Sequence, residues 1–262
     1  MGLKAEETVM SGCNDVPHGI VTAANQRLWT EFGDDARAIA DALITRPDFA
    51  CSMAKFARKT LRLRASLKLA RKIMGPNFIG PKEIYAAFGL PYGENERFEL
   101  DVIPFQPSTL ERCKDTHVLI AVFSLSLIEL REREEKLFAD QDWSSINSFV
   151  SSKGKSTWRL VRKTCVRDSS NNDFAAQRAL LSRHEMVPSA HTVAYLAAAY
   201  FRIRSEKLFA LDAVRCNDHR NGQHSCVGVS TGLIGVSAIG DLFATPFLGL
   251  ASEELCDSYA SP

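Results

Sequence analysis

The chain has 262 residues, of which 45% are hydrophobic and 24% are charged, and its formal net charge is +1 at pH 7. These values are typical of a globular protein with a sizeable core, and they exclude a strong attraction of the whole chain to a polyanion. The seven cysteines are odd in number and scattered, which predicts free thiols in a reducing compartment and hence a cytoplasmic protein.

The pattern along the chain predicts three regions. Residues 1–19 form a loose tail without the apolar segment of a secretory signal. Residues 20–92 form a helical region, and residues 101–257 form an α+β core. The apolar segment 227–251 contains Asp241, Pro246 and several glycines, so we expect buried strands and turns there and no membrane span.

A basic amphipathic helix is predicted over residues 48–74. Its apolar residues recur at spacings of three and four, and Gly75 and Pro76 end the pattern. Nine basic residues and one acidic residue lie between Arg46 and Gly75, a local net charge of +8. The side chains expected to contact nucleic acid or an acidic partner are Lys55, Arg58, Lys59, Arg62, Lys68, Arg71 and Lys72. Pairing of these cations with the protein's own acids is the other interpretation, and it is the one that we favour.

The predicted core is a mixed or antiparallel sheet with two packed helices. An apolar run from Thr116 to Leu130 and the segment 156–166 are typical of buried strands. Helices are predicted over residues 173–185 and 189–204. The chain therefore belongs to the α+β class, with a helical region before the sheet core.

The stretch CNDHRNGQHSC, residues 216–226, predicts a β-hairpin. Asn221 and Gly222 favour a two-residue type I′ turn, because both central positions of that turn need positive φ. The resulting cross-strand pairs are His219 with His224, Asn217 with Cys226, and Cys216 with Val227.

The same hairpin holds the candidate metal ligands. Side chains alternate along a strand, so His219, His224 and Cys226 are expected on one outward-facing side, and Cys216 on the core side. A closed tetrahedral zinc site needs four converging ligands, and a regular hairpin offers three. We therefore favour a plain turn and predict no cofactor, with zinc as the alternative.

Two further motifs resemble catalytic motifs. Cys113 lies four residues before His117, and a Cys–His pair can produce an activated thiolate. A histidine that opens a buried strand is the favoured interpretation, with a thiol- or metal-dependent hydrolase as the alternative. The GxSxG match at residues 228–232 lacks the later histidine that an α/β-hydrolase needs, since His224 is the last in the chain.

Three stretches carry a resemblance: MGPNFIGPKEIYAAFGL, IPFQPSTLERCKDTHVLIAVFSLSLIELRE and STWRLVRKTCV. Together they resemble a family of uncharacterised bacterial proteins over roughly Met74 to Ser252. The resemblance implies a bacterial, cytoplasmic protein and carries over no activity, cofactor or site residue. Its members are richer in Ser, Asp and Gly around the 216–226 hairpin, which argues against a metal site as the family's function.

Three functions follow as hypotheses. The first is a non-enzymatic protein that binds another protein, because each catalytic motif fails on order, spacing or context. The second is a nucleic-acid-binding accessory protein that uses the basic helix. The third is a thiol- or metal-dependent hydrolase built on Cys113 and His117 or on the hairpin histidines.

Overall fold

The structure is a computed structural model, and it describes residues 30, 33, 35–49, 52, 64–90, 99–143, 150–209, 213–230 and 232–256. The chain divides into two compact units, Met1–Leu61 and Arg62–Pro262. The first contains helix α1 (Asp35–Thr45), whose first turn carries Asp35, an acid that the helix dipole favours there. The predicted helical region 20–92 is thus divided between the units.

The second unit alternates short helices with short strands. The helices of its described residues are α2 (Leu67–Met74), α3 (Pro81–Phe88), α4 (Pro107–Cys113), α5 (Leu127–Arg133), α6 (Phe174–Ala179) and α7 (Ala190–Arg204). Its strands are β1 (Phe78–Ile79), β2 (His117–Val122), β3 (Thr157–Arg162), β4 (Glu185–Met186), β5 (Ala213–Arg220), β6 (Gln223–Ser230), β7 (Leu233–Gly240), β8 (Leu248–Leu250) and β9 (Glu253–Glu254).

Both sheets of this unit are mixed. The first has the strand order β1-β2-β3-β9-β4, in which β1 and β2 run parallel and the other neighbours antiparallel. The second has the order β7-β6-β5-β8, in which β5 and β8 run parallel and the other neighbours antiparallel. The predicted α+β class, with helices before the sheet core, is confirmed.

Helix α7 lies at the centre of this unit. The Ser189 side chain accepts a hydrogen bond from the Thr192 amide and so begins the helix at the predicted place. Every residue from Thr192 to Tyr200 is buried, and the helix contacts strands of both sheets. Many residues of this helix are alanine, so it presents apolar surface in every direction. A helix with no polar face can be buried on all sides.

The strand predicted from Thr116 to Leu130 is too long. The observed strand β2 ends at Val122, and helix α5 begins after Ser126. Ser126 and Glu129 form a reciprocal capping box, which satisfies amides that a helix start leaves unpaired. The apolar residues Leu127 and Leu130 are buried, as their character predicts. The Ser126 cap, and not the apolar pattern, determines that they belong to a helix.

The single basic helix predicted over 48–74 is wrong. Residues 64–66 are not helical, and helix α2 begins only at Leu67. The Ser66 side chain accepts from the Leu69 amide at 3.2 Å, while the Ala65 amide donates to the Phe105 carbonyl at 3.0 Å. A new N-cap and a bond to a distant loop therefore separate α2 from the preceding chain.

The apolar segment 227–251 forms strands and turns, as the sequence predicts. Within the described ranges, no helix has the length and apolar character needed to cross a membrane.

Candidate metal centre

The hairpin between β5 and β6 forms with the predicted turn. Asn221 and Gly222 have φ values of 52° and 72°, both positive, as a type I′ turn needs. His219 pairs with His224, as predicted. The other two predicted pairs are wrong, because the register shifts at an irregularity between Arg215 and His219. The pairs observed beyond it are Arg215 with Cys226 and Val214 with Val227.

The face expected to point outward is largely covered. Arg215 is fully buried there, and its Nη1 donates to Gln177 Oε1 of helix α6 at 2.8 Å. Cys226 is also buried, with Sγ 3.0 Å from Ser237 Oγ, and it is not part of the histidine cluster. Helix α6 thus forms a second layer over this sheet. Cys216 is fully buried on the opposite side, as predicted.

Asp241 completes a cluster with the two histidines. Its Oδ1 lies 2.6 Å from His224 Nδ1, and its Oδ2 lies 3.2 Å from His219 Nε2. One ligand atom from each of the three residues lies within 4.8 Å of the other two. The residue follows β7, whose end pairs with the start of β6, so the sheet brings it to the histidines. Sequence reasoning missed Asp241, because β7 was not predicted in register with the hairpin.

The charges of the cluster favour a neutral His224 beside an ionised Asp241 carboxylate. Burial raises the pKa of Asp241, but the hydrogen bonds from His224 and His219 outweigh it and hold that pKa below its usual value. Burial also lowers the pKa of His224, although Asp241 opposes this effect. Each imidazole therefore donates an N–H to the carboxylate in the absence of a metal.

The positions of the three ligand atoms suit a divalent transition metal. Zinc binds imidazole nitrogen and carboxylate oxygen at about 2.0–2.2 Å, so neighbouring ligand atoms of a tetrahedral site lie about 3.3 Å apart. The 3.2 Å separation between His219 Nε2 and Asp241 Oδ2 is close to this value. The 2.6 Å separation between His224 Nδ1 and Oδ1, the other oxygen of the same carboxylate, is shorter, so an ion that contacts all three side chains needs the His224 ring to move outward. Metal binding also requires each ring proton to move to the opposite nitrogen.

The cluster is held on one side and open on the other. The His224 ring packs on the Phe174 ring, with the ring centroids 3.5 Å apart. The His224 side chain is only 7% exposed. The side chains of His219 and Asp241 are 48% and 35% exposed. If these three side chains held an ion, a coordination position would stay open toward solvent, as in catalytic zinc sites and two-histidine, one-carboxylate iron sites.

Cys113 and His117 lie in a second cluster, together with Glu254. The three residues are 1%, 3% and 5% exposed. Burial, followed by the nearby carboxylate of Glu254, raises the pKa of Cys113 to about 12. An activated thiolate needs the opposite shift, so this environment opposes the thiol-hydrolase hypothesis. His117 does open a buried strand, as predicted.

The predicted basic contact residues are divided by the break before α2. Lys55, Arg58, Lys59 and Arg62 lie outside the described residues. Lys68, Arg71 and Lys72 lie on α2, where Arg71 forms an ion pair with Glu83 and lies 4.5 Å from the centre of the Phe78 ring. Arg71 therefore pairs with an acid of the protein itself, as one of the two interpretations of the basic residues expects. A nucleic-acid role for the other residues stays a prediction.

A polar cleft of about 110 Å³ lies elsewhere, at the start of α7. Lys155, Arg159, His191 and Asp218 contribute its charged or titratable groups. The Asp218 carboxylate already accepts from the Ala190 amide at 2.5 Å, and Arg159 pairs with Glu253. Arg159 and Asp218 are thus already engaged by groups of the protein, and the cleft contributes no residue to the histidine cluster.

The comparisons with known proteins give no family to which the chain can be assigned. No family model matches it, and no curated protein or solved structure shows significant similarity to it. The resemblance stated from the sequence stays a prediction.

Proposed function

We propose that this protein binds a divalent transition-metal ion, with zinc as the first candidate, through His219, His224 and Asp241. The observation that carries the proposal is the convergence of two imidazole nitrogens on one carboxylate, at 3.2 Å and 2.6 Å, beside solvent. Imidazole and carboxylate together suit zinc and its neighbours in the first transition row. The proposal develops the metal alternative of the sequence, with Asp241 in place of Cys226.

The open side of the cluster supports a chemical role for the ion. A metal with three protein ligands can bind a carbonyl or phosphoryl oxygen, or activate a water molecule for hydrolysis. The polar cleft is lined by Asp218 and not by the three ligands, so it does not supply a substrate pocket at this centre. Metal binding is therefore the function that the geometry supports best, and hydrolysis would be a further step.

Zinc titration by calorimetry tests the proposal. We expect the wild-type chain to bind zinc at this centre, and we expect His219→Ala and Asp241→Asn to weaken that binding at least tenfold. His184→Ala removes a histidine outside the cluster and serves as the matched control, with unchanged affinity. Equal zinc affinity in the wild type and in both ligand variants would overturn the proposal.

A second candidate function is binding of a protein, and the segment after Asp241 favours it. Leu242, Phe243 and Phe247 are 86%, 53% and 68% exposed, an unusual density of apolar surface. Their backbone is nonetheless fixed, because the carbonyls of Phe243 and Phe247 accept hydrogen bonds from Arg215 and Ala213. The first partner to test is a second copy of the chain.

Sedimentation velocity over a concentration series tests this second function. We expect a dimer that is lost in the Leu242→Ser, Phe247→Ser double variant and kept after Leu180→Ser, which alters an exposed leucine elsewhere. A wild-type chain that stays monomeric throughout would contradict self-association at this surface.

A further inference from the structure

The cluster of Cys113, His117 and Glu254 brings together three metal-ligating side chains in the interior. Cys113 ends helix α4, His117 begins β2, and Glu254 belongs to β9. One ligand atom from each lies within 4.8 Å of the others, and Cys113 Sγ lies 3.5 Å from Glu254 Oε1. Thiolate, imidazole and carboxylate are the three ligand types that zinc uses in proteins.

The His117 ring gives an independent observation that points to a metal. His117 Nδ1 lies 2.8 Å from Thr116 Oγ1, whose hydroxyl in turn donates to the Cys113 carbonyl at 3.4 Å. A hydroxyl that donates to this carbonyl can accept from Nδ1–H, and that tautomer places the lone pair of the ring on Nε2. His117 Nε2 is buried and has no hydrogen-bond partner among the described residues. A buried polar atom without a partner is costly unless something binds it.

Hydrogen bonds from a neighbouring arginine hold the Glu254 carboxylate in place. Arg112 donates two hydrogen bonds to Glu254, at 2.7 Å and 3.0 Å, and so fixes the carboxylate. Hydrogen bonds of this kind orient metal ligands in known sites.

The local charge balance permits a divalent ion. Arg112 pairs with Glu254, and Arg162 pairs with Glu185 at 2.8 Å, so the two cations and two anions offset one another. Binding releases the Cys113 proton, and the resulting thiolate partly neutralises the ion.

We propose that Cys113, His117 and Glu254 form a second, buried site for a thiophilic divalent metal such as zinc, with a structural role. The ion would connect residues 113 and 117 to residue 254, far along the chain, and so hold α4, β2 and β9 together. This site is independent of the proposed function, because it shares no residue with the solvent-facing centre.

Cobalt(II) distinguishes the two sites, because only a thiolate ligand gives a sulfur-to-cobalt charge-transfer absorption. The full chain is refolded with cobalt, since the site is buried, and bound metal and the near-ultraviolet spectrum are measured. We expect two equivalents of cobalt and a charge-transfer band in the wild type. The His219→Ala, His224→Ala double variant should keep one equivalent and the band.

Variants at the buried site give the opposite pattern. Cys113→Ser should lose the band and one equivalent, and His117→Gln should weaken the band at least tenfold at fixed free cobalt. Cys226→Ser, which alters another buried thiol, should behave as the wild type. The proposal is overturned if the wild type lacks the band, if Cys113→Ser keeps it, or if Cys226→Ser removes it. Circular dichroism confirms that each variant folds.

Discussion

Arg215 holds the backbone on both sides of Asp241. Its Nη2 donates to the Gly240 carbonyl at 3.2 Å and to the Phe243 carbonyl at 2.6 Å. The Asp241 carboxylate, between these two points, meets both histidines of the candidate metal centre. A fully buried arginine in the sheet thus positions a candidate ligand that lies beside solvent.

Replacement of Arg215 by Met is expected to affect both the fold and the metal centre. The change leaves Gln177 Oε1 and two backbone carbonyls without their donor, and we expect the free energy of unfolding to fall by about 2–3 kcal/mol. Zinc affinity should fall about 10–100-fold at a temperature where the variant is folded, because Asp241 loses its anchor. Urea denaturation measures the change in stability, and calorimetry measures the change in zinc affinity.

Arg220→Met, at an exposed position on the same strand, is the control for this prediction. Equal zinc affinity in the Arg215→Met and Arg220→Met variants would contradict the positioning role.

Zinc uptake at the candidate centre should depend on pH. A metal binds the unprotonated nitrogen of each imidazole, so protons compete with it as the pH falls below about 6.5. Burial lowers the pKa of His224, which keeps this ligand available to lower pH. We expect zinc affinity to change little between pH 7.5 and about pH 6.5, and to fall from there to pH 5.5 in a calorimetric series. An affinity that does not change over this range would show that the histidines are not ligands.

The turn at Asn221 and Gly222 should be sensitive to an added side chain. Gly222 has φ +72°, which an alanine adopts only with strain, although the space around it is open. We expect Gly222→Ala to lower the free energy of unfolding by about 1 kcal/mol. Gly240→Ala adds the same methyl group in open space at a residue without positive φ, and it should cost less. Thermal or urea unfolding of both variants decides the comparison, and equal losses would argue against turn strain.

Glu253 and His117 should give opposite dependences of stability on pH. Burial raises the pKa of Glu253 to about 7, although Arg159 opposes this, so its favourable contribution is present below about pH 4.5 and is lost as the pH rises through 7. His117 has a pKa lowered to about 4, so its contribution is present above about pH 6.5 and is lost as the pH falls through 4.

The Glu253→Gln variant separates these two contributions. The substitution removes the contribution of Glu253 to the free energy of unfolding, which decreases as the pH rises. The stability of the variant relative to the wild type should therefore be higher at pH 8 than at pH 5. Urea denaturation at both pH values measures the difference. A difference between variant and wild type that is the same at both pH values would exclude a raised pKa at Glu253.

The elements that the sequence predicts well have local causes. Ser189 caps α7 at the predicted residue, and Asn221 with Gly222 forms the predicted turn. Both features depend on a few neighbouring residues, whose backbone preferences are visible in the sequence. The local signal also misled, since a run of apolar residues predicted a strand through Leu130, where the Ser126 cap begins a helix.

The sequence by itself determined the α+β class, the central helix and the pairing of His219 with His224. Tertiary structure decided the rest of the candidate sites, because Asp241 and Glu254 meet their partners only through strand pairing and packing. It also decided the burial of Arg215 against helix α6 and the burial of Cys226, since a strand does not reveal which layer covers each of its faces. Contacts between residues far apart in the chain depend on register and packing, and a single sequence carries little local trace of either.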